Sequence, residues 1–237
     1  MSNYFDNAEG VDAWFQKRRA KFTASTNYKL GDGKMHTTYV EEKVIELTTQ
    51  IWERPELEEV KSLLHGKLYE YPAYERYIHE TKNYSMTYFG TENPVFIEWD
   101  KSKEESGGTP DIANLTKDNK IDYGTELKCP KSPAYHFRRL NWTSQWDIKE
   151  QYLSCYCQIQ NLIMITGAFG FDFVSYDERQ LAKSKQIKII EVKPDQKFIN
   201  NLEIKIELAV KEKYKLLSKY MGVELKNKTE YLNFLKQ

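Results

Sequence analysis

The chain has 237 residues, enough for one large domain or two small ones with a sizeable core. Its 35 basic and 35 acidic residues balance, so the net charge neither indicates nor excludes a nucleic-acid partner. Three cysteines make no disulfide framework, and no apolar run approaches the roughly twenty residues of a membrane span, which argues against a secreted disulfide scaffold and against a membrane protein. Without a signal peptide, a repeat or a long linker, we expect a single domain, residues 1–237, in a reducing cytoplasm.

The first predicted element is a short basic helix that ends near Arg19. It begins around Trp14, and a turn over residues 23–25 follows, where a second helix could be capped. Arginine offers a planar fork to phosphate, and hydroxyls and helix N-termini supply further donors, so this composition suits phosphate binding. A solvated basic face on a surface helix is the more ordinary explanation of the same residues.

Two longer helices are predicted next, over about residues 38–52 and 57–82. A turn near Pro55 separates them. Pro72 lies inside the second pattern and predicts a kink or a new helix start there.

Glu70 is the notable residue of the second helix. It lies three and four residues before Ala73 and Tyr74, so it faces inward with them. A carboxylate that faces inward needs a partner or a metal ion.

After one or two strands within residues 84–99, residues 107–130 are predicted to form a β-hairpin. The cluster Asp118-Asn119-Lys120 makes its turn. Asp111 therefore lies on the first strand and Glu126 on the second.

The predicted hairpin brings three charged side chains close together. Side chains alternate along a strand, so Glu126 and Lys128 point the same way while Leu127 points into the core. With Asp111, two carboxylates and one ammonium group converge on a small volume. Such a site suits Mg²⁺, which prefers carboxylate oxygens plus substrate phosphates, and a nearby lysine can orient or deprotonate a water. The alternative is a set of solvated surface acids, with Glu-x-Lys as an exposed ion pair.

The remainder of the chain supplies a second basic segment and the rest of the sheet. Residues 131–142 are basic and aromatic, which suits a surface that tracks a nucleic-acid backbone, although a polar loop has the same composition. A helix over 146–166 has a buried stripe of Ile148, Tyr152, Cys155, Ile159 and Leu162. Gln158 at the edge of this stripe needs a partner for its amide, either a water of a site or a neighbouring backbone group. Strands are predicted over 171–176 and 186–192, and a helix over 195–221 covers the sheet.

Four blocks occur in order between about residues 14 and 180. They are Trp14-x3-Arg18-x4-Thr23-Ala-Ser25, Gly66-Lys-x-Tyr-Glu70-x2-Ala73, Pro110-Asp111 with Glu126-Leu-Lys-Cys-Pro130, and Gln158-x-Gln160 leading to Tyr176-Asp-x-Arg179. In this combination the chain resembles the phage lambda exonuclease branch of the PD-(D/E)XK nucleases, the YqaJ-like viral recombinases.

The resemblance implies an α/β fold with a restriction-endonuclease-like PD-(D/E)XK core, in which a central mixed β-sheet is flanked by α-helices. It implies a Mg²⁺-dependent 5′→3′ exonuclease on double-stranded DNA ends, with Mn²⁺ as a substitute metal. The 3′ single-stranded tail would pass to a single-strand annealing protein in phage-type recombination. A homotrimer around DNA and a phage or prophage origin in a bacterial host are further expectations, and no membrane is involved.

The resemblance also implies roles for individual residues. Asp111 and Glu126, with the backbone carbonyl of Leu127, would bind one catalytic ion, and Glu70 with Asp111 would hold a second. Lys128 and Gln158 would position and activate the attacking water. The 5′-terminal phosphate would bind to three residues: Arg18, Ser25 and Thr109. Leu63 would be the wedge that splits the terminal base pair, although a leucine beside Leu64 on a helix is more often plain core.

The chain departs from the family pattern in places. Ile112 stands where relatives usually carry glycine, the hairpin loop is longer, Pro72 interrupts the helix of Glu70, and residues 131–146 match nothing we can assign. Two other functions therefore remain open. One is an endonuclease of the same superfamily that cuts structured or specific DNA, and the other is a non-catalytic DNA-binding protein with the same fold.

Overall fold

The computed structural model describes residues 10–31, 33–50, 61–90 and 94–237, without the side chains of residues 10–12 and 61–63. The helices are α1 (Gly10–Arg18), α2 (Lys34–Thr48), α3 (Lys61–Thr81), α4 (Pro133–Arg139), α5 (Gln145–Gln151), α6 (Leu153–Thr166), α7 (Gln196–Met221) and α8 (Lys228–Phe234). The strands are β1 (Phe22–Thr23), β2 (Thr87–Tyr88), β3 (Ile97–Glu98), β4 (Ser106–Gly108), β5 (Ile112–Leu115), β6 (Ile121–Lys128), β7 (Gly170–Tyr176) and β8 (Ile187–Val192). None of the helices in these ranges is long and apolar enough to cross a membrane.

Within these ranges, five strands form a central sheet in the order β2-β5-β6-β7-β8. Strands β6 and β7 run parallel, and the other neighbours are antiparallel. A parallel pair needs a crossover, which α4, α5 and α6 supply. A smaller sheet pairs β4 with β1 in parallel and with β3 antiparallel. The structure therefore confirms the predicted mixed sheet with flanking helices.

Different helices cover the two faces of the central sheet. On one face, Phe171 and Phe173 of β7 share a core with α6 and α7. On the other face, Leu127 and Val174 pack with Ala73 of α3. Neighbours such as Phe173 and Val174 belong to different cores because side chains alternate along a strand. The main partners of α7 are α2 and α6, so it covers much of the sheet through α6.

The first helices differ from their predicted bounds. Helix α2 runs from residue 34 to 48, earlier than the predicted 38–52. Helix α3 contains Pro72 without a new helix start, and the predicted turn near Pro55 lies outside the described residues. The predicted cap over residues 23–25 is wrong in part, because β1 and a single 3-10 turn, Asn27–Lys29, follow α1.

The predicted helix over 146–166 is broken. Helices α5 and α6 meet at Tyr152, whose backbone leaves the helical region at φ −147° and ψ 56°. The Tyr152 ring lies 4.7 Å from the guanidinium of Arg139, a contact that no local periodicity encodes. Upstream, the segment that could have been a polar loop contains α4, which begins with Pro133 at its first turn.

A buried ion pair ties α7 to the smaller sheet. The Lys213 ammonium pairs with Glu105, just before β4, and donates to the Ala20 carbonyl oxygen at 3.1 Å. The Tyr214 hydroxyl donates to the other oxygen of Glu105. The side chains of Lys213 and Glu105 are 1% and 7% exposed, so water hardly reaches this network.

Candidate active site

The predicted hairpin is present, with Asp111 directly before its first strand. The β5–β6 ladder ends where Ile112 pairs with Thr125. Beyond it, the amide of Leu127 donates to Asp111 Oδ2 at 2.7 Å. The carboxylate therefore takes the place of a ladder partner, and this bond fixes Asp111 against β6.

Glu126 is the most deeply buried acid of the hairpin, with a side chain 1% exposed. Its Oε1 pairs with the Lys128 ammonium, two residues along the same face of β6. Its Oε2 is buried and has no hydrogen-bond partner among the described residues. Buried carboxylate oxygens are rarely left alone, because their desolvation is costly. This oxygen therefore lacks the partner that a buried acceptor normally has.

Glu70 of α3 reaches the same place from another element. It is half-buried, and its Oε1 accepts a hydrogen bond of 2.9 Å from the Tyr88 hydroxyl of β2. The Tyr88 ring folds over Gly90, where an added Cβ would stand only 1.9 Å from its Cζ. Glycine at position 90 therefore allows Tyr88 to hold Glu70, and the predicted inward orientation of Glu70 agrees with its position in the structure.

Burial and mutual repulsion disfavour negative charge in this cluster. Burial first, and the charge of Asp111 second, raise the pKa of Glu126 to about 8 and that of Glu70 to about 7. Burial also raises the pKa of Asp111 against the opposing effects of Lys128 and the Leu127 amide. Burial alone would lower the pKa of Lys128, but Glu126 and other nearby groups raise it well above its ordinary value. The single charge of the Lys128 ammonium is therefore too little to neutralise the three acids of the cluster.

Gln158 stands beside the lysine. Its Oε1 accepts a hydrogen bond of 3.4 Å from the Lys128 ammonium, so a side chain of the acid cluster is one partner of this amide. Gln160, in the same block, has a structural role. Its amide donates to the Lys193 carbonyl oxygen at 2.9 Å and accepts from the Asp195 amide at 2.9 Å, which ties α6 to the start of α7.

Two adjoining cavities open at these acids. The larger, of about 1110 Å³, contains Glu126 and Lys128. The smaller, of about 220 Å³, lies towards α1. Asp111, Glu70 and Gln158 border both cavities, so the acid cluster is where they meet.

The residues assigned to the 5′-phosphate are divided between these cavities. Arg18 and Thr109 line the smaller one, and Ser25 lines the larger one. Trp14 joins the first two, since its indole N–H donates to Thr109 Oγ1 at 2.9 Å and its ring lies 4.2 Å from the Arg18 guanidinium. The side chain of Leu63, the predicted wedge, lies outside the described residues.

The donors at the acid cluster fit a hard divalent cation. Oxygen ligands from Asp111 and Glu126 are of the right type, and Oε2 of Glu126 has no hydrogen-bond partner in the described ranges that would compete with an ion. In the described part of the chain, no three His, Cys, Asp or Glu side chains stand close enough together to hold an ion by themselves. An ion here therefore needs the Leu127 carbonyl, water or phosphate oxygens as well, which is the usual manner of Mg²⁺.

Comparison with known families decides the relationship. Residues 13–169, more than half of the chain, match the model of the YqaJ-like viral recombinase domain. The chain belongs to the YqaJ-like viral recombinase family. The resemblance inferred from the four sequence blocks is thereby confirmed, and all of the predicted site residues lie inside the matched segment. No curated protein matches the sequence significantly.

Solved structures show that this YqaJ-like chain shares an established fold. An alkaline exonuclease, LHK-Exo from Laribacter hongkongensis, is 22% identical with a TM-score of 0.72 over 90% of this chain and 96% of that one. The same exonuclease in complex with dAMP is 23% identical with a TM-score of 0.72, over 89% and 96% of the two chains. A phage-related exonuclease from Haemophilus somnus 129PT is 15% identical with a TM-score of 0.59, over 84% and 96%. These likenesses confirm the predicted fold class.

The last of the four sequence blocks, which ends with Arg179, stabilises the chain near the site. Arg179 donates to the carbonyl oxygens of Lys131 at 2.9 Å and Pro130 at 3.1 Å, and it pairs with the buried Asp177 at 2.7 Å. The block therefore fastens the chain just after Lys128. Sequence reasoning missed Tyr88, because its contact with Glu70 depends on how β2 pairs with β5.

Proposed function

We propose that this chain is a Mg²⁺-dependent exonuclease that hydrolyses one strand of double-stranded DNA from its 5′ end. The observation that carries the proposal is the buried Oε2 of Glu126, which has no partner among the described residues and lies beside the acids that border both cavities. Family membership and the fold shared with proteins described as exonucleases support it. The dAMP complex of LHK-Exo supports a mononucleotide as the product.

The proposed roles follow from the contacts. Asp111, Glu126 and the Leu127 carbonyl would hold one ion, and Glu70 with Asp111 a second. Such ions supply an activated water and neutralise the charge that develops on the phosphate. The Lys128 ammonium would orient the attacking water and stabilise the negative charge that develops on it, and the Gln158 carbonyl holds that ammonium in place.

The smaller cavity supports the proposed direction of digestion. Arg18 lies in it and forms no salt bridge with any carboxylate in the described part of the chain, although Trp14 covers one face of its guanidinium. An arginine in this state suits a terminal phosphate, with Thr109 as a neighbouring hydroxyl. A phosphate held here by Arg18 and Thr109, with Leu63 in the role implied by the family, would leave the next phosphodiester for the acid cluster. Ser25 lines the larger cavity instead.

A time course on end-labelled linear duplex with Mg²⁺ tests the proposal. A 5′-phosphorylated linear duplex should be degraded faster than the same duplex without 5′ phosphates, and closed circular DNA should stay intact. Cleavage of the circle would instead favour an endonuclease of the same superfamily. A wild-type protein that is inert in both Mg²⁺ and Mn²⁺ would favour a non-catalytic DNA-binding protein.

The variant Glu126→Gln isolates the metal chemistry. Because changes to groups that merely support a ligand typically cost 10–100-fold, loss of the ligand itself should lower the rate by more than about 100-fold. Glu207→Gln, an exposed position on α7, is the matched control and should retain wild-type activity. A Glu126→Gln variant that is folded and as active as this control would refute the metal assignment.

The proposal extends to partners and setting. The 3′ strand exposed by such digestion is a substrate for a single-strand annealing protein. We expect the chain to be encoded by a phage or prophage and to act in a bacterial cytoplasm. A homotrimer that encircles DNA belongs to the same proposal. Sedimentation of the purified protein tests it, and a monomer at all concentrations would contradict it.

A further inference from the structure

Arg139, the last residue of α4, is a buried cation that pairs with no anion among the described residues. It is 6% exposed and lines the larger cavity together with Lys128. No carboxylate in the described part of the chain forms a salt bridge with it. It donates a long hydrogen bond of 3.4 Å to Ser175 Oγ and also hydrogen-bonds the Tyr152 hydroxyl. A guanidinium has five N–H donors, so most of its hydrogen-bonding capacity is still available.

The surroundings of Arg139 compensate its charge only in part. The guanidinium carbon lies 4.7 Å from the centre of the Tyr152 ring, 5.7 Å from Phe173 and 5.8 Å from Trp142. Cation–π contacts offset part of the desolvation cost, but a buried charge without a counterion stays costly. Burial accordingly lowers the pKa of Arg139, although Tyr152 opposes this effect. An anion that entered the cavity would relieve the cost.

Helix α4 is held firmly enough to keep Arg139 in position. The buried His136 ring contacts Ser175 Oγ at 2.9 Å through Nδ1 and the Lys185 carbonyl oxygen at 2.7 Å through Nε2. Both bonds anchor the inner side of α4 to β7 and to the turn before β8. Arg138 and Lys131, both exposed, line the same cavity and add positive charge at its rim.

We propose that Arg139 binds a backbone phosphate of the DNA strand that lies in the larger cavity. It would be a second phosphate-binding arginine, separate from Arg18 in the smaller cavity, with the acid cluster between them. Its planar fork suits bidentate contact with two phosphate oxygens. This inference rests on the proposed nuclease function and adds to it a binding residue that holds the strand.

Binding and cleavage are measured separately to test the proposal. A short 5′-phosphorylated duplex is titrated with protein in metal-free buffer at several salt concentrations, below the melting temperature of each variant. Arg139→Gln should bind about 10- to 100-fold more weakly, the usual worth of a hydrogen-bonded charge. Its plot of log affinity against log salt should be shallower by about 0.7 to 0.9, the value for one lost phosphate contact. The control Arg76→Gln, an arginine on α3 paired with Glu80, should keep the wild-type slope.

A merely structural role of Arg139 would lower the melting temperature without changing the salt slope. A folded Arg139→Gln variant with wild-type slope and affinity would overturn the proposal. If that variant does not fold, Arg139→Lys decides, because it keeps the charge and loses the fork. Several-fold weaker binding at an unchanged slope would support the proposal, and wild-type affinity would overturn it. If the wild type cleaves linear duplex but Arg139→Gln binds DNA as well as the wild type does, the Arg139 inference fails and the proposed nuclease function stands. If the wild type neither binds nor cleaves the duplex, both proposals fail.

Discussion

The buried pair Lys213–Glu105 offers a direct test of how this fold is held together. In Lys213→Met the side chain keeps its apolar stem but loses its ammonium group. Among the described residues, Glu105 would then keep only the Tyr214 hydroxyl as a partner for its charge. The carbonyl oxygen of Ala20 would lose its 3.1 Å hydrogen bond as well.

The expected cost is large because the pair is shielded from water. With side-chain exposures of 1% and 7%, solvent cannot replace the lost cation. Removal of one partner from a buried pair costs about 3–5 kcal/mol. For a protein of this size each kcal/mol lowers the melting temperature by about 2–4 °C, so we expect a decrease of about 6–20 °C. The double variant Lys213→Met/Glu105→Gln should recover most of this loss, since no buried charge is left unpaired.

Equilibrium unfolding in urea, with melting curves from circular dichroism, measures these differences. Lys211→Met on the exposed side of the same helix is the matched control and should stay near the wild type. A Lys213→Met variant within about 1 kcal/mol of the wild type, or a double variant no more stable than the single one, would refute the buried-charge argument.

Two further predictions concern the site and its support. In Gly90→Ala the new Cβ would displace the Tyr88 ring from Glu70, so we expect the Mg²⁺ concentration for half-maximal cleavage to rise about tenfold, as is usual when the support of a metal ligand is lost. An unchanged Mg²⁺ titration curve would show that this hydrogen bond does not matter for metal binding. Burial raises the pKa of Asp177, but Arg179 outweighs this effect and leaves the pKa below its ordinary value. The ionised Asp177 therefore stabilises the folded protein above about pH 4, and this contribution is lost as the pH falls through the folded-state pKa. Asp177→Asn should therefore be less stable at pH 7 and lose less stability on acidification in urea unfolding curves, and a loss equal to that of the wild type would contradict this assignment.

The candidate site shows which kind of inference local sequence supports. Strand alternation placed Glu126 and Lys128 on one side and Leu127 on the other, and the structure has them so. Helical spacing likewise turned Glu70 inward. Both rules depend only on the backbone period of a single element, and for that reason they needed no knowledge of distant residues.

The errors have equally local causes. The hydrophobic stripe of residues 146–166 continues across the break at Tyr152, so periodicity predicts one helix where two exist. The basic and aromatic composition of residues 131–142 does not distinguish a loop from a helix. The local signal for the start of α4 is Pro133 after Ser132, a common way for a helix to begin.

Residue order alone determined that this chain has a carboxylate–lysine hairpin, an inward acid on a helix and the four blocks of its family. Only the tertiary structure decided that Glu70, Asp111 and Glu126 meet at the junction of two cavities and that Tyr88 holds one of them. It also decided that Arg139 is buried with no carboxylate partner in the ranges that the structure describes. The physical reason is that backbone periodicity acts within an element, whereas the pairing of β2 with β5 and the packing of α3, α4 and α6 around β6 join residues far apart in the chain. Desolvation and charge depend on those distant neighbours, so the chemistry of the site becomes defined only once the elements have packed.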